Sequence, residues 1–102
     1  MLTPKRHPLV RADMADAYAW YEAELPGLGR DFLAELRATY RRMCEWPLLY
    51  AVRFAGVRRV NLRRFPYGIF YVVRPEEIWV LGVLHGARDS EAELARRRKS
   101  FS

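Results

Sequence analysis

One cysteine, Cys44, stands among 102 residues. A disulfide framework is therefore excluded, and packing alone must hold the fold, which suits a reducing compartment. Cys44 falls among apolar residues of a helical stretch and reads as a buried, inert thiol. With two histidines beside that single cysteine, a structural zinc site lacks ligands, and neither metal nor cofactor is expected. Long apolar runs are also missing. The longest, Ile78 to Leu84, falls far short of the roughly 20 residues a membrane helix needs. The start, Met1-Leu-Thr-Pro-Lys-Arg-His-Pro8, has no apolar signal-peptide core, so a cytoplasmic chain without a membrane contact is the expectation. Lysine occurs twice, as Lys5 and Lys99, so the positive charge is almost all arginine.

The most telling absence is of acid. From Ala51 to Arg74 there are six arginines (Arg53, Arg58, Arg59, Arg63, Arg64, Arg74) and no Asp or Glu. The flanking stretches are balanced, with seven bases and seven acids in residues 1–50 and five of each in 75–102. The whole surplus of +6 thus belongs to one block. A cationic block on an otherwise neutral chain points to an anionic partner, nucleic acid or an acidic protein segment. Arginines on an edge strand also discourage aggregation without any partner.

At this length a single domain, residues 1–102, is expected. Residues 5–10 can form a first strand, which Pro8 confines to an edge or bulge. A first helix is expected over about Arg11–Glu24, because Val10, Met14, Ala17 and Tyr21 recur at helical spacing with Trp20 beside them. No good N-cap precedes it. Pro26-Gly-Leu-Gly29 turns the chain. A second helix, about Gly29–Glu45, carries the stripe Leu28, Phe32, Leu36, Tyr40 and Met43, and Pro47 ends it. The short link predicts a helical hairpin. A short strand around Tyr50–Phe54 follows.

The period then changes to 2. Val60 and Leu62 share one parity with Arg58 and Arg64, while Arg59, Asn61 and Arg63 share the other. Tyr67–Val73 and Ile78–His85 read as strands rich in β-branched and aromatic residues, joined by the turn Arg74-Pro-Glu-Glu77. The second is apolar on both parities and should be central. Residues 90–99 can form a last helix, capped at Asp89 or Ser90. Its Arg96-Arg-Arg-Lys99 end reads as a solvated tail that can also grip phosphates. The expected fold is α+β: a helical hairpin on one face of a mostly antiparallel sheet, in the order β-α-α-β-β-β with a C-terminal helix.

In this arrangement Arg59, Asn61 and Arg63 look out from an open sheet face. Arg58, Arg59, Asn61, Arg63 and Arg64 form the candidate surface for nucleic acid or another target. His85 and Arg88 reach the end of the last strand. RNA cleavage needs a base, an acid and cations for the developing charge. His85 can supply acid or base, Arg88 and Arg63 charge stabilisation, and Tyr67 orientation or stacking. Each also has a structural reading: His85 bonded to a backbone carbonyl, Arg88 paired with Asp89 or Glu91.

Three segments in this order resemble the RelE/ParE toxin superfamily. They are Ala17-Tyr-Ala-Trp-Tyr-Glu22 leading to Pro26-Gly-Leu-Gly29 and Phe32-Leu33, then Val57 through Arg64-Phe-Pro-Tyr67 into Ile69-Phe-Tyr71, then Val80 through His85-Gly-Ala-Arg-Asp89. The resemblance covers roughly residues 6–95. It implies a type II toxin neutralised by an acidic antitoxin in a heterotetramer or larger assembly. ParE-like members inhibit DNA gyrase; RelE-like members cut mRNA on the ribosome without a metal. Arg88 matches a RelE-like catalytic arginine, but Gly68 stands where such nucleases carry another arginine, and the lysines they use are missing. The motifs lie nearer the ParE-like branch. A chain that only binds its antitoxin, without toxicity, is the third class.

Overall fold

The computed structural model describes residues 2–101. Its elements are β1 (Thr3–Arg6), α1 (Leu9–Glu24), α2 (Leu28–Glu45), β2 (Val52–Phe54), β3 (Val57–Asn61), β4 (Tyr67–Val73), β5 (Glu77–His85) and α3 (Glu91–Lys99). The sheet runs β1-β5-β4-β3-β2. All pairings are antiparallel except β1 with β5, so the α+β architecture agrees with the sequence reading.

The helical hairpin follows its apolar stripes. Val10 and Ala17 of α1, with Phe32, Leu36 and Met43 of α2, pack on Val60, Leu62, Ile69, Tyr71, Ile78, Val80 and Val83. The Tyr71 ring is fully buried, and its hydroxyl donates to the Pro47 carbonyl at 2.6 Å, tying down the segment after α2. Burial pushes its pKa up to about 12. Trp20 is 62 % exposed and lies outside this core.

Three expectations need correction. The first strand lies earlier, at Thr3–Arg6, and every residue in it is exposed, so no alternation marks it. Pro8 is the N-cap of α1 rather than a strand residue. The missing cap is supplied by His7, whose Nδ1 accepts the Leu9 N–H at 3.0 Å. Finally, the second sheet face is not fully open. Leu94 of α3 packs on Val57, Phe70, Val72, Leu81 and Leu84, making a second core.

A β-bulge lets β5 serve both cores. Phe70 pairs with Gly82 and Tyr71 with Val80, leaving Leu81 unpaired. Before it Ile78 and Val80 face the hairpin; beyond it Val83 does, and Leu84 joins Leu81 on the α3 side. This is why the run is apolar on both parities.

β1 ends opposite Val80, and beyond that point β5 is an unpaired edge. Two side chains replace the missing strand. Asp13 of α1 accepts the Val83 N–H at 3.0 Å, and Arg97 of α3 donates to the Leu81 carbonyl at 3.1 Å. The two also pair bidentately, at 2.7 and 3.1 Å, and Glu93 reaches Arg97 at 2.5 Å. The Arg97 and Asp13 side chains are 6 % and 8 % exposed. Gly82 makes room: a methyl group there would lie 2.8 Å from Arg97 Nη1. Burial alone would lower the Arg97 pKa, but the hydrogen bond to Asp13 and the carboxylates raise it. The basic C-terminal run is therefore not a solvated tail throughout. Breaking a buried pair by removing one partner costs about 3–5 kcal/mol. Arg97→Met should destabilise the protein by that amount in urea unfolding; a loss below about 1 kcal/mol would show the pair to be dispensable.

His7 closes the same corner. Its backbone N–H donates to the Val80 carbonyl at 2.9 Å, its ring Nε2 lies 3.2 Å from Ser100 Oγ, and the ring contacts Phe101. With Nδ1 accepting, the neutral ring carries its proton on Nε2. Burial, then the nearby Arg97 charge, lower its pKa from 6.5, and Asp13 opposes them. The unfolded chain then binds a proton more readily than the folded one, so stability rises with pH in this window. It is full above about 6.5 and drains as pH falls from there through the lowered folded value. The melting temperature should drop between about pH 7.5 and pH 5.5. His7→Asn, which keeps an acceptor but does not titrate, should flatten that dependence; an unchanged slope would assign it to other groups.

Candidate functional site

Beyond β3 the chain leaves the sheet and returns through residues 62–66. This loop is tied at both ends. Leu62 N–H donates to the Tyr67 carbonyl at 2.9 Å, and Gly86 N–H donates to the Pro66 carbonyl at 2.7 Å. From below, the Glu35 carboxylate of α2 accepts the backbone N–H groups of Arg63 and Arg64. A carboxylate gripping consecutive amides fixes the backbone and leaves both arginine side chains exposed. The sequence reading missed Glu35, because nothing local marks a helical carboxylate as the anchor of a loop 28 residues away.

The loop, the start of β4 and the turn after β5 enclose an open depression of about 590 Å³. It brings together Arg59, Asn61, Arg63, Arg64, Tyr67 and His85. Tyr67 and His85 are register partners, their rings edge-on at 5.3 Å. His85 Nδ1 accepts the Ala87 N–H at 3.0 Å, so the neutral ring presents Nε2–H rather than a free lone pair. Burial, then Asp16 and Asp13, raise the Tyr67 pKa, which keeps the phenol protonated. Arg64 lies over the Phe65 ring and 3.8 Å from Asp31.

Two candidates are directed elsewhere. Arg58 shares parity with Val60 and points to the hairpin side, where it donates to the Tyr50 carbonyl at 2.6 Å; it braces the segment before β2. Arg88 pairs with Glu93 at 2.5 Å, not with Asp89 or Glu91, and lies beside Arg53, Phe54 and Phe70. It lies in the turn between β5 and α3 and lines a different concavity from the one that holds Arg63.

Arg59 has a distinctive setting. It leaves β3 on the α3 side of the sheet, and its side chain crosses β4 above Gly68 to reach Gly86 beyond β5. A methyl group at position 68 would lie 2.7 Å from Arg59 Nε, and one at position 86 would lie 2.5 Å from its Nη2. Asn61 Oδ1 accepts from Nε at 2.5 Å, and the guanidinium sits 5.3 Å from the Phe70 ring centroid. A glycine inside an otherwise apolar strand often marks a close approach, and that signal was present at Gly68.

A second concavity, of about 450 Å³, lies between the helical hairpin and β5. Val10, Met14, Leu36, Val80 and Val83 line it with Arg6, Arg37 and Arg41. These three arginines are exposed, and none is in an ion pair among the described residues. Among the described residues no helix is long and apolar enough to cross a membrane, and no cluster of ligating side chains is placed to hold a metal. Burial raises the Cys44 thiol pKa, which makes it a poor nucleophile.

Comparison with known proteins agrees with this architecture. A solved structure titled as the chromosomal ParDE TA system from P. aeruginosa superposes with a TM-score of 0.68, covering 83 % of this chain and 96 % of that one at 18 % identity. That likeness concerns the fold. Toxin ParE2 of Mycobacterium tuberculosis, in strains CDC 1551 / Oshkosh and H37Rv, is 30 % identical over 95 residues, 89 % of this chain and 90 % of the relative. Residues 5–90 match the family described as the ParE toxin of the type II toxin–antitoxin system parDE. With most of its length matched by that family, the chain belongs to the ParE toxins of type II toxin–antitoxin systems.

Proposed function

We propose that this ParE-family chain acts by inhibiting DNA gyrase and is held inactive by a cognate acidic antitoxin. The observation that carries the gyrase reading is the dispersal of the groups RNA cleavage would need. Gly68 stands on β4 where RelE-like nucleases carry another arginine, and Arg88, in the turn after β5, is paired with Glu93 of α3. His85 has its Nδ1 lone pair engaged by Ala87. Metal-free cleavage needs acid, base and cations converging on one phosphate, and this chain gathers only part of that set. The grouping of His85, Tyr67 and Arg63 in one depression favours mRNA cleavage as the second reading.

The antitoxin fits the groove between the hairpin and β5. Its apolar floor would receive one stripe of an amphipathic segment, and Arg6, Arg37 and Arg41 would receive acidic side chains along its rim. Unpaired arginines at an apolar rim favour a partner of opposite charge through both encounter rate and register.

Two outcomes are expected. On induction, cells should show a DNA-damage response with intact ribosome-bound mRNA, and purified protein should inhibit gyrase supercoiling. Cleaved mRNA with unaffected gyrase would select the nuclease reading, and normal growth at good expression would leave only an antitoxin-binding module. Reversing charge at Arg37→Glu and Arg41→Glu together should weaken antitoxin binding by about tenfold or more at low ionic strength, with the difference narrowing as salt rises. Unchanged affinity in a calorimetric titration would place the antitoxin on another surface.

A further inference from the structure

Arg59 is the one arginine of the acid-free block whose side chain is laid across the sheet and fitted into space left by two glycines. Four features converge on it. Gly68 and Gly86, on different segments, both leave open the volume its side chain fills. Asn61, two residues away on the same face of β3, accepts from Nε at 2.5 Å and sets the plane of the guanidinium. The Phe70 ring supports it from β4. Yet among the described residues no carboxylate lies within ion-pair distance of it. Arg59 is half-buried, and removing a charge from water without an opposite charge is costly. The guanidinium is oriented through Nε, its Nη2 lies against Gly86, and the side chain lines the depression that also holds His85.

We infer that Arg59 is a preset phosphate-binding residue, its guanidinium held by the trough over Gly68 and Gly86 and by Asn61 so that its terminal nitrogens receive one phosphate group. A planar fork fixed in orientation suits the bidentate recognition of such a group. The inference goes beyond the gyrase reading and does not depend on it. Phosphate is favoured over the side chains of an acidic peptide by what surrounds the site. None of the large exposed apolar side chains that would anchor a peptide, Trp20, Leu25, Trp46 and Leu49 among them, lines the depression. The neighbours of Arg59 there include Arg63, Arg64, Tyr67 and His85, a cationic rim with aromatic rings beside Leu62, Phe65 and Pro66. Arg59 also lines a separate concavity, with Arg53, Arg88, Asp89 and Glu91. Burial, then the like charge of Arg53, lower the Arg59 pKa, as expected of a cation held without its counter-charge.

The phosphate has two sources, a nucleic-acid backbone or a free nucleotide. The test measures a labelled single-stranded DNA oligonucleotide by fluorescence anisotropy, with inorganic pyrophosphate, a nucleoside triphosphate and a poly-glutamate peptide as competitors. Arg59→Gln should weaken DNA binding about tenfold and lower the salt slope by about one. Arg74→Gln, which removes the same charge at the far end of β4, should change it less than about twofold. The decisive variants are Gly68→Ala and Gly86→Ala, which keep every charge. The clash at position 86 is with the far end of a flexible side chain, so the fold should survive, confirmed by an unchanged melting curve, while Arg59 is displaced. Both glycine variants should lose most of what Arg59→Gln loses. Competition by the triphosphate as strong as by the oligonucleotide identifies a nucleotide seat; competition requiring a longer strand identifies a backbone contact. Wild-type binding at folded glycine variants, equal losses for Arg59→Gln and Arg74→Gln, or displacement by poly-glutamate but not by pyrophosphate would each overturn the assignment.

Discussion

Arg97 and Asp13 meet around the free edge of β5, and the three layers of the molecule are joined there. β1 is only long enough to cover β5 as far as Val80. Beyond it the central strand would expose backbone polar groups between two apolar cores, which is costly unless each is paired. The ion pair supplies both an acceptor for Val83 and a donor for Leu81. It therefore does the work of missing strand residues while linking α1 to α3, elements 84 residues apart in the chain. A buried pair of this kind is no stronger in net terms than good apolar packing. Its value here is geometric: it ends the β1–β5 ladder without leaving an edge open to pairing with another chain.

Once α3 is fixed at that edge, the rest of its course follows. Arg98, the next residue, donates to the Ala55 carbonyl, at the turn between β2 and β3. Ala55 and Gly56 both have positive φ, 45° and 78°, as a two-residue hairpin turn requires. Adjacent arginines thus bind the two sides of the sheet face, with Leu94 buried between them and the Phe101 ring stacked on Trp79 at 5.0 Å. The helix is short and mostly polar, so these directed contacts, more than an apolar stripe, hold it in place.

The features legible in the sequence were those with a period. The stripe of α2 ended in a buried Phe32, Leu36 and Met43, and the β4–β5 hairpin emerged from two apolar runs and a Pro turn. The obscure features depend on residues far apart in sequence. β1 has no buried side chain to set a pattern, and it is a strand because β5 offers it an edge. Arg97 sits in a run of four basic residues, and only the approach of Asp13 separates it from its neighbours. At the site, strand parity correctly divided Arg58 from Arg59 and Asn61. It could not extend to Arg63, which lies past the end of β3, on a loop whose amides are gripped by Glu35.

Gly68 shows how an apparent loss in a motif can be a substitution of another kind. Taken alone, it is a missing arginine in the middle of the sheet. In three dimensions the same vacancy is what allows Arg59, from the neighbouring strand, to cross β4 and bring its guanidinium to the His85–Gly86 turn. An arginine at position 68 would compete with Arg59 for that space, so the two placements exclude each other. The cation near the depression is thus attached to β3 rather than to β4. Its side chain lies along the sheet surface rather than rising off the strand. A site arranged in this way can have affinity for a phosphate while lacking the convergence of groups on one phosphorus atom that cleavage demands. That separation between holding an anion and cutting at it is consistent with a toxin that blocks its target.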